Sequence, residues 1–285
     1  MKLTNQQKGS LLAFIAVMFI TPDSLFIRLS HIDTWGLLFY RGTIPFVVVL
    51  LGLLMVYRTT FFKLLFSMGY PGIFYMITFA VTNITFIISI QNTNVANTLI
   101  MIAMAPMLSA VLGALFLKEN PDKKTWIAIA ITTLSVFYIF YDSLEAGDLL
   151  GNFLGLVCAT GLAVGAVIIR SAKRISLVPS AMIGKLTVTL IALLFANELR
   201  LEGGDFVIVP LMCIMCVAIP FVLVTLAPRY ITAAEVNLFF LLETILGPLW
   251  VWFVIKEQPS LETILGGSVI VVTIAVHSIL SLKKI

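Results

Sequence analysis

Two stretches of this chain match each other and set its architecture. "NVANTLIMIAMAPMLSAVLGALFLKENP" (94–121) and "TAAEVNLFFLLETILGPLWVWFVIKEQP" (232–259) align without a gap at an offset of 138 residues. Any two apolar helices resemble each other in composition. A shared K-E-x-P ending in the same register is more specific, and it favours an internal repeat.

A weaker match joins the beginnings of the two halves. At an offset of 142 residues it pairs Gly9 with Gly151, Arg28 with Arg170 and Gly42 with Gly184. We therefore predict two structural halves, residues 1–143 and 144–285.

The composition is that of a chain embedded in lipid. Hydrophobic residues make up 60% and charged residues 11%, whereas a soluble domain has about 25% charged residues. Apolar runs about as long as the ~20 residues needed to cross a bilayer recur along the chain, without the alternation typical of a membrane β-barrel. The sequence predicts an all-α polytopic membrane protein with ten segments, at 9–29, 34–57, 67–90, 94–117, 124–141, 150–170, 178–198, 206–227, 232–255 and 261–281.

The distribution of Lys and Arg predicts the orientation. With the N-terminus inside, 13 of the 18 basic residues face the cytoplasm, three lie in outer loops and two lie within segments. This bias follows the positive-inside rule and explains the basic pI without a nucleic-acid partner. Each half has five segments, so the second half enters the membrane from the opposite side. We predict two inverted five-helix repeats with both termini cytoplasmic.

The sequence does not indicate a metal site or a cofactor site. Cys213 and Cys216 form a C-x-x-C pair inside an apolar run, but no second pair or His cluster completes a metal site. We expect no metal and no cofactor. The apolar N-terminal run has no small-residue cleavage site after it, so we interpret it as the first membrane segment.

These features resemble the EamA branch of the drug/metabolite transporter superfamily over essentially the whole chain. The fourth helix of that family's repeat carries an Ala, a Pro and a terminal Glu, and similar positions here are Ala96, Pro106 and Glu119, then Ala234 and Glu257. Thr244 stands where the second copy often has Pro. The resemblance implies a secondary transporter, often an exporter of small metabolites, and does not name the substrate.

Two carboxylates in the ninth segment need a physical explanation. At about 1.5 Å of rise per residue, Glu243 lies ~16 Å deep, near the middle of a ~30 Å hydrocarbon core. Glu235 lies only about 5 Å deep by the same rise and can pair at the inner rim. An acid at mid-depth is a functional candidate, although a protonated Glu that only packs between helices is the alternative.

Three other charged residues within segments are candidates for coupling or gating. Asp23 and Arg41 both fall in the outer third of the membrane, so they are a plausible pair. Lys185 falls in the inner third, nearer Glu235. Glu243 has no obvious basic partner at its own depth, so we predict that it serves as a proton carrier, a ligand for a cationic group, or both.

Aromatic and amide side chains are candidates for lining the site around Glu243. Tyr75, Phe79 and Asn83 follow each other at i, i+4 spacing on one face, and ordinary helix packing explains this stripe equally well. The other candidates are Asn97 and Met101 in the fourth segment and Phe239 and Phe240 in the ninth. Rings around a carboxylate suit an organic cation or zwitterion.

The sequence thus predicts a secondary transporter that moves a small cationic or zwitterionic metabolite, coupled to protons or by exchange. The alternatives are an intramembrane enzyme, for which we find no catalytic motif, a channel, and a membrane scaffold, which would not explain Glu243. We expect a monomer in the lipid bilayer, by default the bacterial inner membrane. The substrate, the direction of flux and the coupling ion are not determined by the sequence.

Overall fold

The structure is a computed structural model, and it describes residues 4–57, 68–118, 121, 123–146, 148–172, 175, 177–226, 230 and 233–282. Over these residues the secondary structure is helical, and no strand occurs among them. The all-α class predicted from the composition is therefore confirmed for the described chain.

The helices follow the predicted segments closely. The first half contains α1 (Asn5–Ile20), α2 (Asp23–Leu29), α3 (Thr34–Tyr57), α4 (Gly69–Asn92), α5 (Val95–Ala103), α6 (Ala105–Leu117) and α7 (Lys123–Ala146). The second half contains α8 (Leu149–Ser171), α9 (Val178–Phe195), α10 (Asp205–Met212), a π-helical stretch (Cys213–Ala218), α11 (Ile219–Leu226), α12 (Ala233–Ile255) and α13 (Leu261–Leu282).

Most of these helices are suited to cross a membrane. Among the described residues, eight helical segments are long and apolar enough, and two shorter apolar stretches, Leu242–Ile255 and Leu261–His277, lie within α12 and α13. The eight long segments are the first eight predicted ones, and the two shorter stretches fall in the ninth and tenth. Side chains such as Leu115, Phe137 and Leu194 are largely exposed, as expected where lipid replaces water as the solvent.

Three segments are interrupted helices. The first is divided at Thr21-Pro22, between α1 and α2. The fourth is divided at Met104, and Pro106 lies in the first turn of the second half-helix, where its missing N–H and fixed φ are favourable. In the eighth segment the π-helical stretch lies immediately before α11, which contains Pro220. Pro248, by contrast, lies inside the continuous helix α12.

The internal repeat is visible in the backbone. Lys118 ends α6 with φ 55°, and Lys256 follows α12 with φ 65°, and these are the only non-glycine residues with positive φ in the described chain. A left-handed residue is a common helix ending, usually Gly or Asn. The two Lys residues occupy equivalent positions of the 138-residue repeat, so the K-E-x-P motif specifies the same helix ending in both halves.

Glycines of the weaker repeat lie where helices approach most closely. A Cβ added to Gly42 in α3 would lie 2.7 Å from the carbonyl oxygen of Lys185 in α9. A Cβ added to Gly184 would lie 2.9 Å from Cδ1 of Phe79 in α4. The two repeat-related glycines therefore permit close packing of α9 against α3 and α4, which positions Lys185 between them.

Packing also separates the core into two main apolar regions. The larger one joins the first four segments to the seventh, eighth and ninth through residues such as Leu38, Met212 and Val251. The second joins the fourth, fifth and tenth segments through residues such as Ile139 and Ile270.

We predict that Gly42→Ala destabilises the protein by about 1–3 kcal/mol, the usual cost of overpacking. The added methyl group meets backbone atoms of α9, which cannot rotate away. Thermal unfolding of the purified protein in detergent measures the change.

Gly52→Ala in the same helix is the matched control. Nothing lies within 4 Å of a Cβ at this position, so the substitution should be neutral or should stabilise by roughly 0.5–1 kcal/mol through helix propensity. Equal effects of the two substitutions would contradict the close α3–α9 contact.

Candidate functional site

The pair predicted between Asp23 and Arg41 is formed. Nη1 of Arg41 donates to Oδ1 of Asp23 at 2.6 Å, and Nη2 donates to Oδ2 at 2.9 Å. The two side chains are buried, with residue exposures of 4% for Asp23 and 7% for Arg41. This bidentate geometry is the strongest form of an arginine–carboxylate interaction.

Local structure explains why Asp23 can occupy this position. The interruption at Thr21-Pro22 starts a new helix, and Asp23 lies in its first turn, where the helix dipole stabilises a negative charge. The guanidinium carbon of Arg41 lies 5.8 Å from the ring centroid of Phe86 in α4. The charge pair thus connects the first and second segments, and its arginine lies next to an aromatic ring of the third.

Lys185 lies near the middle of α9 and is buried, with 7% exposure. Its Nζ donates to Oδ1 of Asn83 and lies 5.4 Å from the ring centroid of Phe79. The stripe that the sequence predicts on the third segment therefore meets Lys185 at two of its three positions. The third member, Tyr75, has its ring 6.0 Å from that of Phe79 and packs against Gly165 of α8.

The predicted proximity of Lys185 to Glu235 stays a prediction, because the side chain of Glu235 lies outside the described residues. In the structure α9 packs against α3, the helix that carries Arg41, with the carbonyl oxygen of Lys185 beside Gly42.

Glu243 lies near the middle of α12, and its side chain is partly accessible. Gly247, one turn further along α12, lies against Leu99 and Thr21. Residues four apart share a helix face, so Glu243 is on the side of α12 that faces the bundle interior. No hydrogen bond or ion pair of Glu243 occurs within the described part of the chain.

Four charged residues within the predicted membrane segments are thus described: Asp23, Arg41, Lys185 and Glu243. They come from the first, second, seventh and ninth segments, so both halves of the chain contribute. Two of the charges form a closed pair. The other two, one ammonium and one carboxyl group, have no ion-pair partner among the described residues.

Two residues predicted to bind substrate take part in helix packing. Asn97 uses both ends of its amide, donating from Nδ2 to Thr93 at 3.2 Å and accepting from Thr263. Thr93 in turn donates to Asn152 at 2.7 Å. Met101 is fully buried in the apolar region shared with Ile270. The i, i+4 spacing did not indicate these partners, and the substrate-binding role of both residues stays a prediction.

The phenylalanines of the ninth segment pack on the first segment. Phe239 and Phe240 are half-buried against Leu12 and Ala13, and the rings of Phe239 and Phe14 meet edge to face with centroids 6.5 Å apart. They link α12 to α1 on the N-terminal side of the Thr21-Pro22 interruption.

A second group of polar contacts joins the two halves at one end of the bundle. We call it the Arg28–Glu257 cluster, and it contains Arg28, Thr93, Val95 and Glu257. Nε of Arg28 lies 3.1 Å from the Glu257 carboxylate, and its Nη2 donates to the Thr93 carbonyl at 2.6 Å. The Val95 N–H donates to Glu257 at 2.8 Å.

The structure shows which helix Glu257 caps. Val95 is the first residue of α5, so the carboxylate of one half caps a helix of the other half. Sequence reasoning missed the contact with Arg28. Two sequence features could have indicated this contact: the glutamate of the K-E-x-P motif, and Arg28, which belongs to one of the residue pairs of the weaker repeat match.

Comparison with known proteins agrees with this architecture. The EamA-like transporter family matches twice, over residues 7–141 and 147–279. The chain belongs to the EamA-like transporter family. Both copies of the family's repeat are present, so the resemblance recognised in the sequence is confirmed. Membership of a transporter family is consistent with the expectation that the chain is not an enzyme.

The EamA fold is also found among solved structures. A crystal structure described only as that of a protein superposes with a TM-score of 0.68, at 16% identity, and the match covers 96% of this chain and 98% of the other. At that identity the likeness shows the fold alone. No curated protein matches the sequence.

We predict that removing one partner of the Asp23–Arg41 pair is more damaging than removing both. Asp23→Asn and Arg41→Met each leave a buried charge unpaired, and we expect each to cost about 3–5 kcal/mol. The double variant should be more stable than either single variant. A double-mutant cycle on unfolding in mixed micelles measures this coupling.

The exposed pair Arg200–Glu202 is the matched control. Its Nε and Oε1 atoms are 3.8 Å apart, and both side chains are more than two-thirds exposed. Substitutions there should change stability by less than about 1 kcal/mol. Additive, small effects at Asp23 and Arg41 would contradict a buried, mutually dependent pair.

Proposed function

We propose that this EamA-family protein is a secondary transporter that moves a small cationic or zwitterionic organic metabolite, with Glu243 at its central site. The main support for the proposal is the position of Glu243 in the structure and its lack of described partners. It lies mid-helix on the interior side of α12, remains partly accessible, and has no described hydrogen-bond or ion-pair partner. An intramembrane acid is costly, and such residues mark substrate or ion pathways.

The surroundings of Glu243 support a polar organic ligand. Asp23 and Arg41 neutralise each other, so the carboxyl group of Glu243 is left to interact with a ligand. Phe239 and Phe240 precede it on the same helix and are half-buried. An organic ammonium group fits a carboxylate with aromatic neighbours, through ion pairing and cation–π attraction.

Alternating access follows from two repeats of five helices around such a site. We propose that all ten segments cross the membrane, that the halves have opposite orientation and that both termini are cytoplasmic. The Arg28–Glu257 cluster ties the first half to the second at one end of the bundle. Opening the site towards that end requires these contacts to separate, while the contacts at the other end close.

Coupling to protons would follow from competition at Glu243. Exclusion from water favours the neutral form of a carboxyl group, whereas a bound cation favours its charged form. A proton and a cationic substrate group would therefore exclude each other, which gives exchange between them. The proposed location is the inner membrane of a bacterium, and one chain is sufficient because both repeats enclose the site.

We predict that substrate binding depends on pH through Glu243. The carboxylate binds the cation only when it is deprotonated, so affinity should be higher at pH 8 than at pH 6. A ligand present at about a hundred times its Kd should stabilise the native protein by ~2.7 kcal/mol. Thermal unfolding of the purified protein against amines and zwitterionic metabolites, at both pH values, measures this.

Glu243→Gln should abolish both the stabilisation and its pH dependence. Glu198→Gln, which neutralises an exposed carboxylate in a loop, is the matched control and should behave like the wild type. A ligand that stabilises Glu243→Gln as strongly as the wild type would move the site away from Glu243 and leave this residue a packing role.

A further inference from the structure

We propose that the connection between α12 and α13 is a clasp on the half-helix α5, and that Glu257 is the residue whose release opens this end of the bundle. We call residues 257–263 the α5 clasp. The inference rests on the proposed function for alternating access itself. It adds which side chain controls the opening, and it gives Arg28 the secondary role of stabilising the closed clasp.

The first turn of α5 is held by the second half of the chain. Three hydrogen bonds join the clasp to this turn: from the Val95 N–H to the Glu257 carboxylate at 2.8 Å, from the Asn94 amide to the Gln258 carbonyl at 3.2 Å, and from the Thr263 hydroxyl to the Asn97 amide oxygen at 2.5 Å. They involve three of the four consecutive residues 94–97. The contact is therefore a continuous docking of one connection on one helix start.

The carboxylate of Glu257 makes two contacts of different kinds. One oxygen accepts the Val95 N–H, a first-turn donor that has no acceptor within its own helix. The other oxygen lies 3.1 Å from Nε of Arg28. The described bonds of Arg28 go to Glu257 and to the carbonyl of Thr93, so Arg28 acts on α5 through these neighbours, whereas Glu257 binds α5 directly.

The local backbone explains how the clasp reaches α5. Lys256 leaves α12 with φ 65°, a left-handed ending that turns the chain away from the helix axis. Within the clasp, Ser260 accepts a hydrogen bond from the Thr263 N–H at 3.1 Å and donates one to the Thr263 hydroxyl at 2.9 Å. The clasp therefore has internal bonds of its own, which favour its movement as one unit.

The half-helix α5 connects the clasp to the helix that carries Glu243. The break at Met104 separates α5 from α6, so α5 is a short independent element. Leu99, one turn after Val95, lies against Gly247 of α12, and Gly247 is one turn after Glu243 on the same face. A displacement of α5 at its first turn therefore changes the packing beside the proposed site.

The test measures access to a buried reporter on α5 from each side of the membrane. Leu99→Cys, at a position only 2% exposed, is placed in the full chain without Cys158, Cys213 and Cys216. The protein is reconstituted in sealed vesicles of defined orientation, and a small hydrophilic thiol reagent is applied from one side at a time. The thermal midpoint of each variant checks folding.

We expect the clasp variants to speed labelling in a fixed order. Arg28→Gln and Glu257→Gln each remove the ion pair but leave an acceptor for Val95, so labelling from the clasp side should rise about tenfold, as loss of a charged hydrogen bond gives. Glu257→Ala also removes the acceptor and should add roughly fivefold, the usual effect of a lost helix cap. Labelling from the opposite side should not rise.

The matched control is Glu202→Gln, which neutralises a carboxylate in an ion pair whose side chains are more than two-thirds exposed. It should label like the reporter protein without further substitution. A charge exchange, Arg28→Glu with Glu257→Arg, restores opposite charges, but an arginine cannot accept the Val95 N–H. This double variant should stay at least about fivefold faster than the reporter protein.

Three results would overturn the inference. Labelling unchanged in Arg28→Gln, Glu257→Gln and Glu257→Ala would show that the clasp does not control access. Equal acceleration from both sides, with a lowered thermal midpoint, would give Glu257 a structural role only. Full restoration by the charge exchange would reduce the clasp to its ion pair. The proposed function fails separately, if no ligand stabilises the native protein while the labelling order stands.

Discussion

The buried ion pair between Asp23 and Arg41 is the interaction on which the rest of the site depends. A charged group removed from water needs a partner at close range, and this pair supplies one for both members with two short hydrogen bonds. It exists because the first segment is interrupted at Pro22, which turns Asp23 into the start of a new helix. Once it is formed, the charges of two segments are satisfied without any ligand.

The remaining polar groups then divide into satisfied and unsatisfied ones. Asn97, Thr93, Asn152 and Thr263 form a buried network in which each has a partner. Arg28 and Glu257 satisfy each other and cap a helix of the opposite half. Lys185 donates to the neutral amide of Asn83, and neither Lys185 nor Glu243 has an ion-pair partner among the described residues. Both are near the middle of their helices, which is why they are the candidates for a site within the membrane.

The sequence predicted the features that depend on length, composition and register. The segments and the repeat follow from the hydrophobic runs and the register of the two halves, and the family match confirms the repeat. The Asp23–Arg41 pair was also predictable, because depth along a helix follows from a constant rise per residue. The expected topology, the halves at 1–143 and 144–285, and the roles of the site residues stay predictions.

The sequence pattern does not determine how each helix is rotated about its axis or how neighbouring helices are tilted. For that reason it did not give the partners of Asn97, which bonds to Thr93 and Thr263, or the burial of Met101 among apolar residues. Their roles in substrate binding stay predictions. The contact between Lys185 and Asn83 was missed for the same reason. The π-helical stretch at Cys213–Ala218 has no local signal that we can name.

The measurement that tests the account most directly is the water accessibility of position 243. Glu243→Cys is placed in a background without Cys158, Cys213 and Cys216, and a small hydrophilic thiol reagent is applied from each side of the membrane. Our account predicts that this cysteine is labelled, that Met101→Cys in the same background is not, and that Glu257→Gln speeds labelling from the side of the Arg28–Glu257 cluster. An unreactive cysteine at position 243, from either side and in either variant, would contradict a central substrate site.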